Sequence, residues 1–447
     1  MIPLSHAQFE VWSFDRRDHG VSRRLPRAYD LVGDLDLAAL DEAMADVVTR
    51  HESLRTVFPV RDGVPYQRIL DPVAGRPPLF AAEVGDRDLP AALDEAATYV
   101  FDLATEPPLR VHVLTIGERR HVLLLLLHHI AADGFSLAPL LRDIGAAYSA
   151  RLTGRPPDWP PLPVQYADFT LWQRELLGDE NDPRSLFREQ LGYWREALRG
   201  APDLLPLPTD HPRPPTPSHR GGQVSATVGP ETHRGLVDLC RQGNATLYMG
   251  VQAVLATLLT RLGAGDDLPI GSAAAGRTDE ALRDLVGMFV NTVVLRTSTR
   301  GNPTFREQLA RVRETDLDAL ARQDLPFERV VEALLPARPR SHNPLYQVKL
   351  VQEVGTELVP ELPGVAAADR PFDFATAKCD LAVYVKEAAG HGGLEFFVVY
   401  ARDLFRRDTM DRFVTGLRDL VHAAVRDPDR PLVTAELPGH PCGREPR

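Results

Sequence analysis

The chain has 447 residues, of which 44% are hydrophobic and 25% charged, and its formal net charge is −11. This composition is ordinary for a globular protein, and the acidic balance argues against nucleic acid as a partner. No apolar stretch approaches the roughly 20 residues needed to span a bilayer, and the N-terminus lacks the basic and apolar segments of a secretory signal.

The cysteines indicate a reducing compartment. There are three of them, Cys240, Cys379 and Cys442, widely spaced and without a CxxC pair. This spacing argues against a disulfide framework and against a structural zinc site. We therefore expect a cytoplasmic location.

Two amphipathic helices are predicted near the N-terminus. The first begins at Ser5-His6-Ala7-Gln8, with Ser5 as a possible cap, and carries Val11 and Trp12. The second is capped by Asp36 and has apolar residues at helical spacing up to Val48. It runs into the stretch RHESLRTVF at residues 50–58.

A buried strand followed by a histidine-rich loop is the clearest functional signal of the first half. Six consecutive apolar residues, 122–127, follow a charged stretch and predict a strand with both faces buried. The next seven residues are HHIAADG, 128–134. Ser136 then precedes apolar residues on one helical face and is the expected N-cap of that helix. Loops between rigid elements often carry functional groups, so this loop is the expected site.

The two adjacent histidines are expected to face in different directions. Neighbouring side chains on an extended backbone point to opposite sides, so one histidine can face a cleft while the other packs inside. Adjacent positions do not converge easily on one metal ion, and no further cluster of metal-ligand residues stands out, so no metal is expected. A pair of structural core histidines is a further alternative. Gly134 allows close approach to the backbone, and the helix beyond it presents free N–H groups.

The composition changes between the two halves. Tyr166–Gln173 predicts an amphipathic helix, and a loop and a second helix follow up to residue 198. Residues 202–217 are dense in proline and so cannot form a regular helix or a central strand. We place the boundary near residue 176, which gives domains 1–175 and 176–447. The proline-rich segment is interpreted as an ordered strap, with a flexible linker as the alternative.

Helices and short strands alternate in the second half. Thr246 is expected to cap an apolar helix over 247–262 that ends at Gly263. A short strand and turn are predicted at 268–272, followed by an apolar run at 286–296 in which Asn291 reads as a strand end. Asn291 lies within that run, where an amide side chain is costly unless it is hydrogen-bonded. Residues 381–387 and 394–400, separated by glycines, predict a hairpin.

Seven motifs in this order resemble those of the condensation domains of nonribosomal peptide synthetases. They are SHAQ…W at 5–12, RHESLRTVF at 50–58, HHIAADG at 128–134, YADFTLWQ at 166–173, GRT…VGMFVNT at 276–292, RQDLPFERVV at 322–331 and SHNPLYQV at 341–348. His342 stands where the family usually has arginine, which puts any role of that arginine in doubt. Phe135 stands where the family often has tryptophan, another large aromatic residue. The resemblance covers Ser5 to about Asp429.

The resemblance implies an α/β fold of two chloramphenicol-acetyltransferase-like subdomains, 1–175 and 176–447. They are expected to form a V-shaped pseudodimer with the active site at the seam. A crossover segment before Asn291 and a latch from the region of the predicted hairpin are expected to reach from the second subdomain to the first.

The resemblance also assigns roles to site residues. His129 is implied to be the functional histidine that faces the cleft, with His128 structural. Asp133 is implied to pair with Arg55 and so to hold the loop in shape, because a buried carboxylate is costly unless it is paired. The backbone N–H of Gly134 is the expected oxyanion donor.

Two further residues, Phe135 and Asn291, are implied to lie near the substrate.

The implied chemistry is acyl transfer without ATP or a metal. The family joins an acyl or aminoacyl thioester on one carrier protein to an amine or alcohol acceptor, and both substrates are carried on 4′-phosphopantetheine of the partner carrier proteins. No cofactor of the chain's own is therefore expected. We expect a cytoplasmic enzyme of antibiotic or other natural product biosynthesis, a monomer or part of a larger synthetase, without a membrane partner. His129 either removes a proton or only orients the nucleophile.

Two other functions are compatible with much of the motif series. Epimerisation-type relatives share HHxxxD, although the SHAQ opening and Gly134 favour a condensation enzyme with an L-configured donor. Cyclisation relatives carry aspartates in place of the motif histidines, so the histidine pair argues against them. A non-catalytic recruitment module of the same fold has usually lost the histidines or the glycine, and both are intact here. Condensation is therefore the preferred function.

Overall fold

The computed structural model describes residues 1–18, 23–335, 339–353, 358–371, 376–388, 392–431 and 433. The strands described are β1 (Ile2–Pro3), β2 (Arg24–Gly33), β3 (Thr56–Val57), β4 (Val60–Arg61), β5 (Val64–Ile69), β6 (Leu79–Glu83), β7 (Leu109–Gly117), β8 (Arg120–His128), β9 (Gly221–Val228), β10 (Asp267–Ala274), β11 (Asn291–Ser298), β12 (Val348–Gln352), β13 (Val365–Arg370), β14 (Leu381–Glu387) and β15 (Leu394–Ala401). The helices are α1 (His6–Asp18), α2 (Leu37–Arg50), α3 (Leu89–Ala97), α4 (Leu137–Arg151), α5 (Tyr166–Leu177), α6 (Leu186–Ala197), α7 (Pro230–Gln242), α8 (Leu247–Arg261), α9 (Phe305–Leu320), α10 (Phe327–Leu334) and α11 (Arg407–Arg426).

The chain forms two compact units, so far as the described residues define them. The first unit contains Met1–Asp179, Ala275–Val290 and Glu357–Asp373. The second contains Glu180–Ala274, Asn291–Thr356 and Phe374–Arg447. Two short segments from the C-terminal part of the chain therefore pack in the first unit. The expected acetyltransferase-like subdomains, 1–175 and 176–447, stay a prediction.

A five-stranded sheet with the order β13-β2-β8-β7-β6 is the centre of the first unit. One face of β8 packs in a core with α2 and α4, and the other face packs in a smaller core with α1. As predicted, Asp36 caps α2, because its Oδ1 accepts a hydrogen bond from Ala39 N at 2.9 Å. The side-chain oxygen replaces a partner that the first turn of a helix lacks.

The segment that contains β13 packs closely on the first unit. β13 pairs antiparallel with β2 at the edge of the sheet, and Leu362, just before it, is buried in the core of α2 and α4. Gly145 of α4 makes room for this segment, since an added Cβ would lie 2.7 Å from Glu361 O. No side chain fits at that distance, so the close approach requires glycine.

A six-stranded sheet, in the order β11-β10-β12-β14-β15-β9, is the centre of the second unit. Helices α7, α8, α9 and α11 contribute to its core. Thr246 caps α8 and Gly263, with φ of 89°, follows the helix, as predicted. The predicted hairpin strands also pair, as β14 and β15, while Gly390 of its expected turn lies outside the described residues.

The proline-rich segment lies against the second unit. Leu205 is 2% exposed, and its N–H donates to Gln347 Oε1 at 2.8 Å. Further along, Asp210 N donates to Leu404 O at 2.8 Å. These bonds are those of an ordered strap, the preferred interpretation of this sequence. Among the helices of the described residues, none has both the length and the apolarity to cross a membrane.

Candidate functional site

The loop after β8 is held by a buried strand. Residues 121–128 of β8 are all buried, and the strand is bonded on both sides, to β2 and β7. A turn and a 3₁₀ turn, Gly134–Ser136, follow before α4 begins. The expected site residues 129–135 therefore lie between the end of a rigid strand and the first turn of a helix.

His128 and His129 have different surroundings. His128 is 1% exposed, and its Nε2 lies 2.9 Å from Asp15 Oδ1. Its Nδ1 accepts a hydrogen bond from Ile130 N at 3.2 Å, which assigns the ring proton to Nε2. His129 is half-buried, and its backbone N–H donates to Arg23 O at 2.8 Å. The enclosed ring of His128 suits a supporting residue, while the role of His129 stays a prediction.

The Asp133 carboxylate is surrounded by hydrogen-bond donors. Its Oδ2 accepts from Arg277 Nη1 at 2.9 Å, Phe289 N at 3.0 Å and Val290 N at 3.3 Å. Its Oδ1 accepts from Arg277 Nη2 at 3.1 Å and from both N and Oγ of Ser136, at 2.9 and 2.8 Å. Asp133 is 1% exposed, so these six contacts replace the water that the carboxylate loses on burial.

The expected pairing of Asp133 with Arg55 is wrong. Arg55 lies in the 3₁₀ turn Glu52–Arg55, where its Nη2 bonds Glu52 Oε1 at 3.1 Å and its Nη1 bonds Leu70 O. Arg277 is the arginine that pairs with Asp133. Its Nη1 and Nη2 each bond one carboxylate oxygen, which is the bidentate geometry that suits a guanidinium and a carboxylate. The GRT motif contains Arg277, but nothing in the sequence distinguished its side chain from those of many other arginines.

Ser136 lies at the predicted N-cap position of α4, but the capping bond expected of its side chain is not formed. Instead its Oγ lies 2.9 Å from Gly287 O, accepts from Gly287 N at 3.1 Å and accepts from Arg277 Nη2 at 3.0 Å. Asp133 is the residue that caps the 3₁₀ turn. Ser136 therefore joins the loop to the segment around Gly287.

Gly134 and Phe135 lie at the start of the 3₁₀ turn. Gly134 is exposed, and a Cβ added there would meet no atom of the described residues within 4 Å, its chain neighbours aside. Neither packing nor a positive φ therefore explains this glycine, and open space at its backbone is available to a ligand. Phe135 is half-buried, with its ring 5.9 Å from the Arg277 guanidinium. The expected nearness of Phe135 to the substrate stays a prediction.

Asn291 belongs to the second unit, where it begins β11. Its Nδ2 donates to Gln323 O at 2.7 Å and to Leu325 O at 2.8 Å, and its Oδ1 accepts from Phe327 N at 3.0 Å. These bonds satisfy the amide in its apolar run and fix the turn before α10. Its expected nearness to the substrate stays a prediction.

A second buried carboxylate of the first unit joins α2 and α4. Asp143 Oδ2 lies 2.8 Å from Arg50 Nε and 2.9 Å from His51 Nε2, and Arg142 Nε lies 2.9 Å from its Oδ1. Burial lowers the pKa of His51, so its ring is neutral near pH 7. Burial acts to raise the pKa of Asp143, but hydrogen bonds from His51 and Arg142 outweigh it and leave that pKa below its usual value.

No group of three or more histidine, cysteine or acidic side chains within the described residues could hold a metal ion.

The family model that matches the chain is that of the condensation domain, over residues 1–440. The chain belongs to the condensation-domain family. A dimodular nonribosomal peptide synthase of Bacillus subtilis is 48% identical over 98% of this chain and 18% of its own length. A probable non-canonical nonribosomal peptide synthetase of Salinispora arenicola, CymA, is 47% identical over 98% of this chain and 6% of its own length. The chain thus spans less than a fifth of these relatives.

Solved structures agree with this assignment. The X-domain from teicoplanin biosynthesis is 35% identical, with a TM-score of 0.88 over 96% of this chain and 96% of that one. The complex of this X-domain with OxyB gives 35% identity and a TM-score of 0.87, covering 96% and 94% of the two chains. The expected family and α/β fold class, the chloramphenicol-acetyltransferase-like fold of condensation domains, are confirmed.

Proposed function

We propose that this condensation domain is an active acyltransferase. It joins an acyl or aminoacyl group, held as a thioester on the 4′-phosphopantetheine of a donor carrier protein, to an amine or alcohol. The acceptor is held on a second carrier protein. The proposal rests on the relatives, which are nonribosomal peptide synthetases, and on the state of the histidine loop.

The observation that carries the proposal is that the loop is complete and tightly held. His128 is bonded on both ring nitrogens and Asp133 on both oxygens, while His129 is only half-buried and Gly134 is exposed. A rigid support beneath one accessible base and one open backbone position is the arrangement that a reaction site needs.

The reaction balances without a further reagent. The amine lone pair attacks the thioester carbonyl, the carbonyl oxygen becomes an oxyanion, and the nitrogen loses one proton. The C–S bond then breaks, and the phosphopantetheine thiolate takes up a proton as it leaves. The thioester is already activated, so holding the two substrates in attack geometry can supply up to about 7–11 kcal/mol of the barrier reduction.

His129 and Gly134 have separate roles in this proposal. His129 accepts the proton from the attacking nucleophile or orients it, since imidazole is a suitable general base near neutral pH. The backbone N–H of Gly134 stabilises the oxyanion, as preorganised amides do in other acyl transfers. An alcohol acceptor depends more on the base than a neutral amine does, so ester formation should suffer more from loss of His129.

A non-catalytic recruitment module is the second possible function. The specific observation in its favour is the likeness to the X-domain, which forms a complex with OxyB. The chain would then bind partner proteins without transferring an acyl group. An epimerisation-type relative is the third possibility, and it would return the donor with inverted configuration.

The experiment is product analysis by mass spectrometry. A carrier-bound aminoacyl donor is mixed with a panel of carrier-bound and free amines and alcohols, using wild type, His129→Ala and His121→Ala. His121 is the control, since it is a buried histidine of β8, the strand before the loop, and lies 3.0 Å from Thr115 Oγ1. We expect product from wild type and His121→Ala, and about 10²–10⁴-fold less from His129→Ala.

Other outcomes decide between the alternatives. Binding of carrier proteins without product from any pair would favour recruitment, and an inverted donor would favour epimerisation. Equal product from wild type and His129→Ala would remove His129 from the chemistry.

A further inference from the structure

The backbone of residues 286–290 is held by side chains and not by a strand. Asn291 was expected at a strand end, and β11 begins there, so residues 286–290 precede the strand. Before it, Val286 O accepts from Ser53 Oγ at 2.7 Å, and Gly287 N donates to Ser136 Oγ at 3.1 Å. The next N–H groups, at 289 and 290, donate to Asp133. Each of these side chains therefore fixes part of one short segment in the first unit.

Tyr166 contacts Met288, the residue of this segment between Gly287 and Phe289. Its hydroxyl donates to Met288 O at 2.6 Å, and its ring is 2% exposed. The ring also leaves no room beside Gly287, since a Cβ added there would lie 2.2 Å from Tyr166 Cδ2. Burial raises the pKa of Tyr166, so the hydroxyl keeps its proton and remains a donor.

Ser5 holds the Tyr166 hydroxyl in turn. The two oxygens are 2.7 Å apart, and because the tyrosine proton goes to Met288 O, the serine must be the donor. Ser5 Oγ itself accepts from Gln8 N at 3.0 Å. The hydrogen bonds thus run in one direction, Gln8 to Ser5 to Tyr166 to Met288, and such chains strengthen one another.

The same opening motif also reaches the histidine loop. Gln8 Nε2 donates to Ile130 O at 3.4 Å, and Gln8 and Ser5 are completely buried. The motif therefore contacts the loop directly, and it contacts the segment that bonds Asp133 through Tyr166. Packing of a helix against the core would favour apolar residues at these two buried positions. A serine and a glutamine there need hydrogen-bond partners, so packing alone does not explain them.

We propose that Tyr166 is a positioning residue of the reaction site. It holds Met288 so that the N–H groups at 289 and 290 meet the Asp133 carboxylate, and Asp133 in turn fixes the loop with His129 and Gly134. Tyr166 touches neither substrate nor reacting atoms in this account. The role in catalysis rests on the proposed condensation function.

The test compares Tyr166→Phe with Tyr148→Phe. Each removes one buried hydroxyl of the first unit and keeps the ring, but the Tyr148 hydroxyl accepts from Asp36 N at 3.0 Å, on the side of α2 and α4. Both variants are assayed with a donor–acceptor pair that the wild-type protein converts. We expect Tyr166→Phe to lower kcat about tenfold or more at unchanged KM. Tyr148→Phe should keep the wild-type kcat, and both should lose similar stability.

Hydrogen–deuterium exchange gives a readout that needs no turnover. In Tyr166→Phe, exchange should rise at residues 129–136 and 286–290. In Tyr148→Phe it should rise near Asp36 and leave those peptides unchanged. Ser5→Ala removes the donor to Tyr166 and should give the same pattern to a smaller degree, which keeps the test usable if Tyr166→Phe does not fold.

The outcomes separate this inference from the proposed function. Wild-type kcat in Tyr166→Phe, or unchanged exchange at both peptides, would overturn the positioning role even if the domain is active. If wild type converts no pair, the proposed function fails, and the exchange comparison alone decides whether Tyr166 orders the loop.

Discussion

Asp133 and Asp316 are equally buried but differently bonded. Each is 1% exposed, Asp133 in the first unit and Asp316 on α9 of the second. Asp133 has an arginine and four other donor contacts on its two oxygens. Asp316 accepts one bond, from Gln252 Nε2 at 2.9 Å, and its Oδ2 has no partner among the described residues. Burial raises the pKa of Asp316 to about 7.

The difference shows that depth of burial does not decide what a buried carboxylate does. A poorly partnered carboxyl stays protonated up to neutral pH, because the charged form lacks donors. A carboxylate with an arginine and peptide N–H groups around it can instead organise the backbone that surrounds it. Asp133 is such a well-partnered carboxylate, and it lies in the histidine loop, whose geometry the proposed chemistry depends on.

Removing the arginine should have the largest effect. Arg277→Met leaves Asp133 buried without its cation and should lower the free energy of unfolding by about 3–5 kcal/mol, measured by denaturant titration. Arg55→Met is the control, since Arg55 bonds the more exposed Glu52 and should cost about 1 kcal/mol. An equal loss from the two variants would mean that Asp133 does not depend on Arg277.

Asp316→Asn should change the pH dependence of stability. The folded-state pKa of about 7 lies above the ordinary aspartate value of 3.8, so the wild-type carboxyl contributes stability at low pH. That contribution is lost as pH rises from about 4 to 7, and the loss is complete above pH 7. The variant should therefore be more stable than wild type at pH 8, by about 2–4 kcal/mol.

The matched control is Asp318→Asn, an exposed position of the same helix. Denaturant titrations from pH 4 to 9 should give a constant difference between Asp318→Asn and wild type. If Asp316→Asn also gave a constant difference, Asp316 would have to be ionised throughout.

Removing one hydroxyl beside each carboxylate should have the smallest effect. Ser136→Ala removes the acceptor of Gly287 N and a donor to Asp133, and should lower the free energy of unfolding by about 1–3 kcal/mol. Thr297→Val removes one acceptor of Gln252, bonded at 3.0 Å, and should cost about 1 kcal/mol. Thermal or denaturant unfolding measures which variant loses more stability. A larger loss of unfolding free energy from Thr297→Val than from Ser136→Ala would contradict the greater importance of the Asp133 site.

Local patterns predicted much of the fold. The apolar run before the histidines became the buried strand β8, and Asp36 and Thr246 cap their helices as expected. The β14–β15 hairpin also formed where two alternating segments flank glycines. In each case the signal lies within about 15 residues, which is the range of helix periodicity, capping and hairpin turns.

Long-range partner choice could not be predicted in this way. Arg277 lies 144 residues from Asp133, and no local pattern distinguishes it from Arg55. The partners of residues 286–290 could not be predicted either, because their backbone groups bond side chains that lie more than 100 residues away in the sequence. Ser136 resembled a cap by position, although its hydroxyl turns to Asp133 and Gly287.

The most direct test of the central claim is the mass of the acceptor carrier protein after reaction with wild type and with Gly134→Ala. Within the part of the chain that the structure describes, the added methyl meets no atom within 4 Å apart from its chain neighbours, so the variant should fold with wild-type stability. The account predicts that wild type transfers the donor's acyl group to the acceptor and that Gly134→Ala transfers much less, because the methyl occupies substrate space. Equal transfer by the two proteins would mean that the substrate does not occupy the space beside Gly134, and no transfer by wild type would contradict the proposed activity.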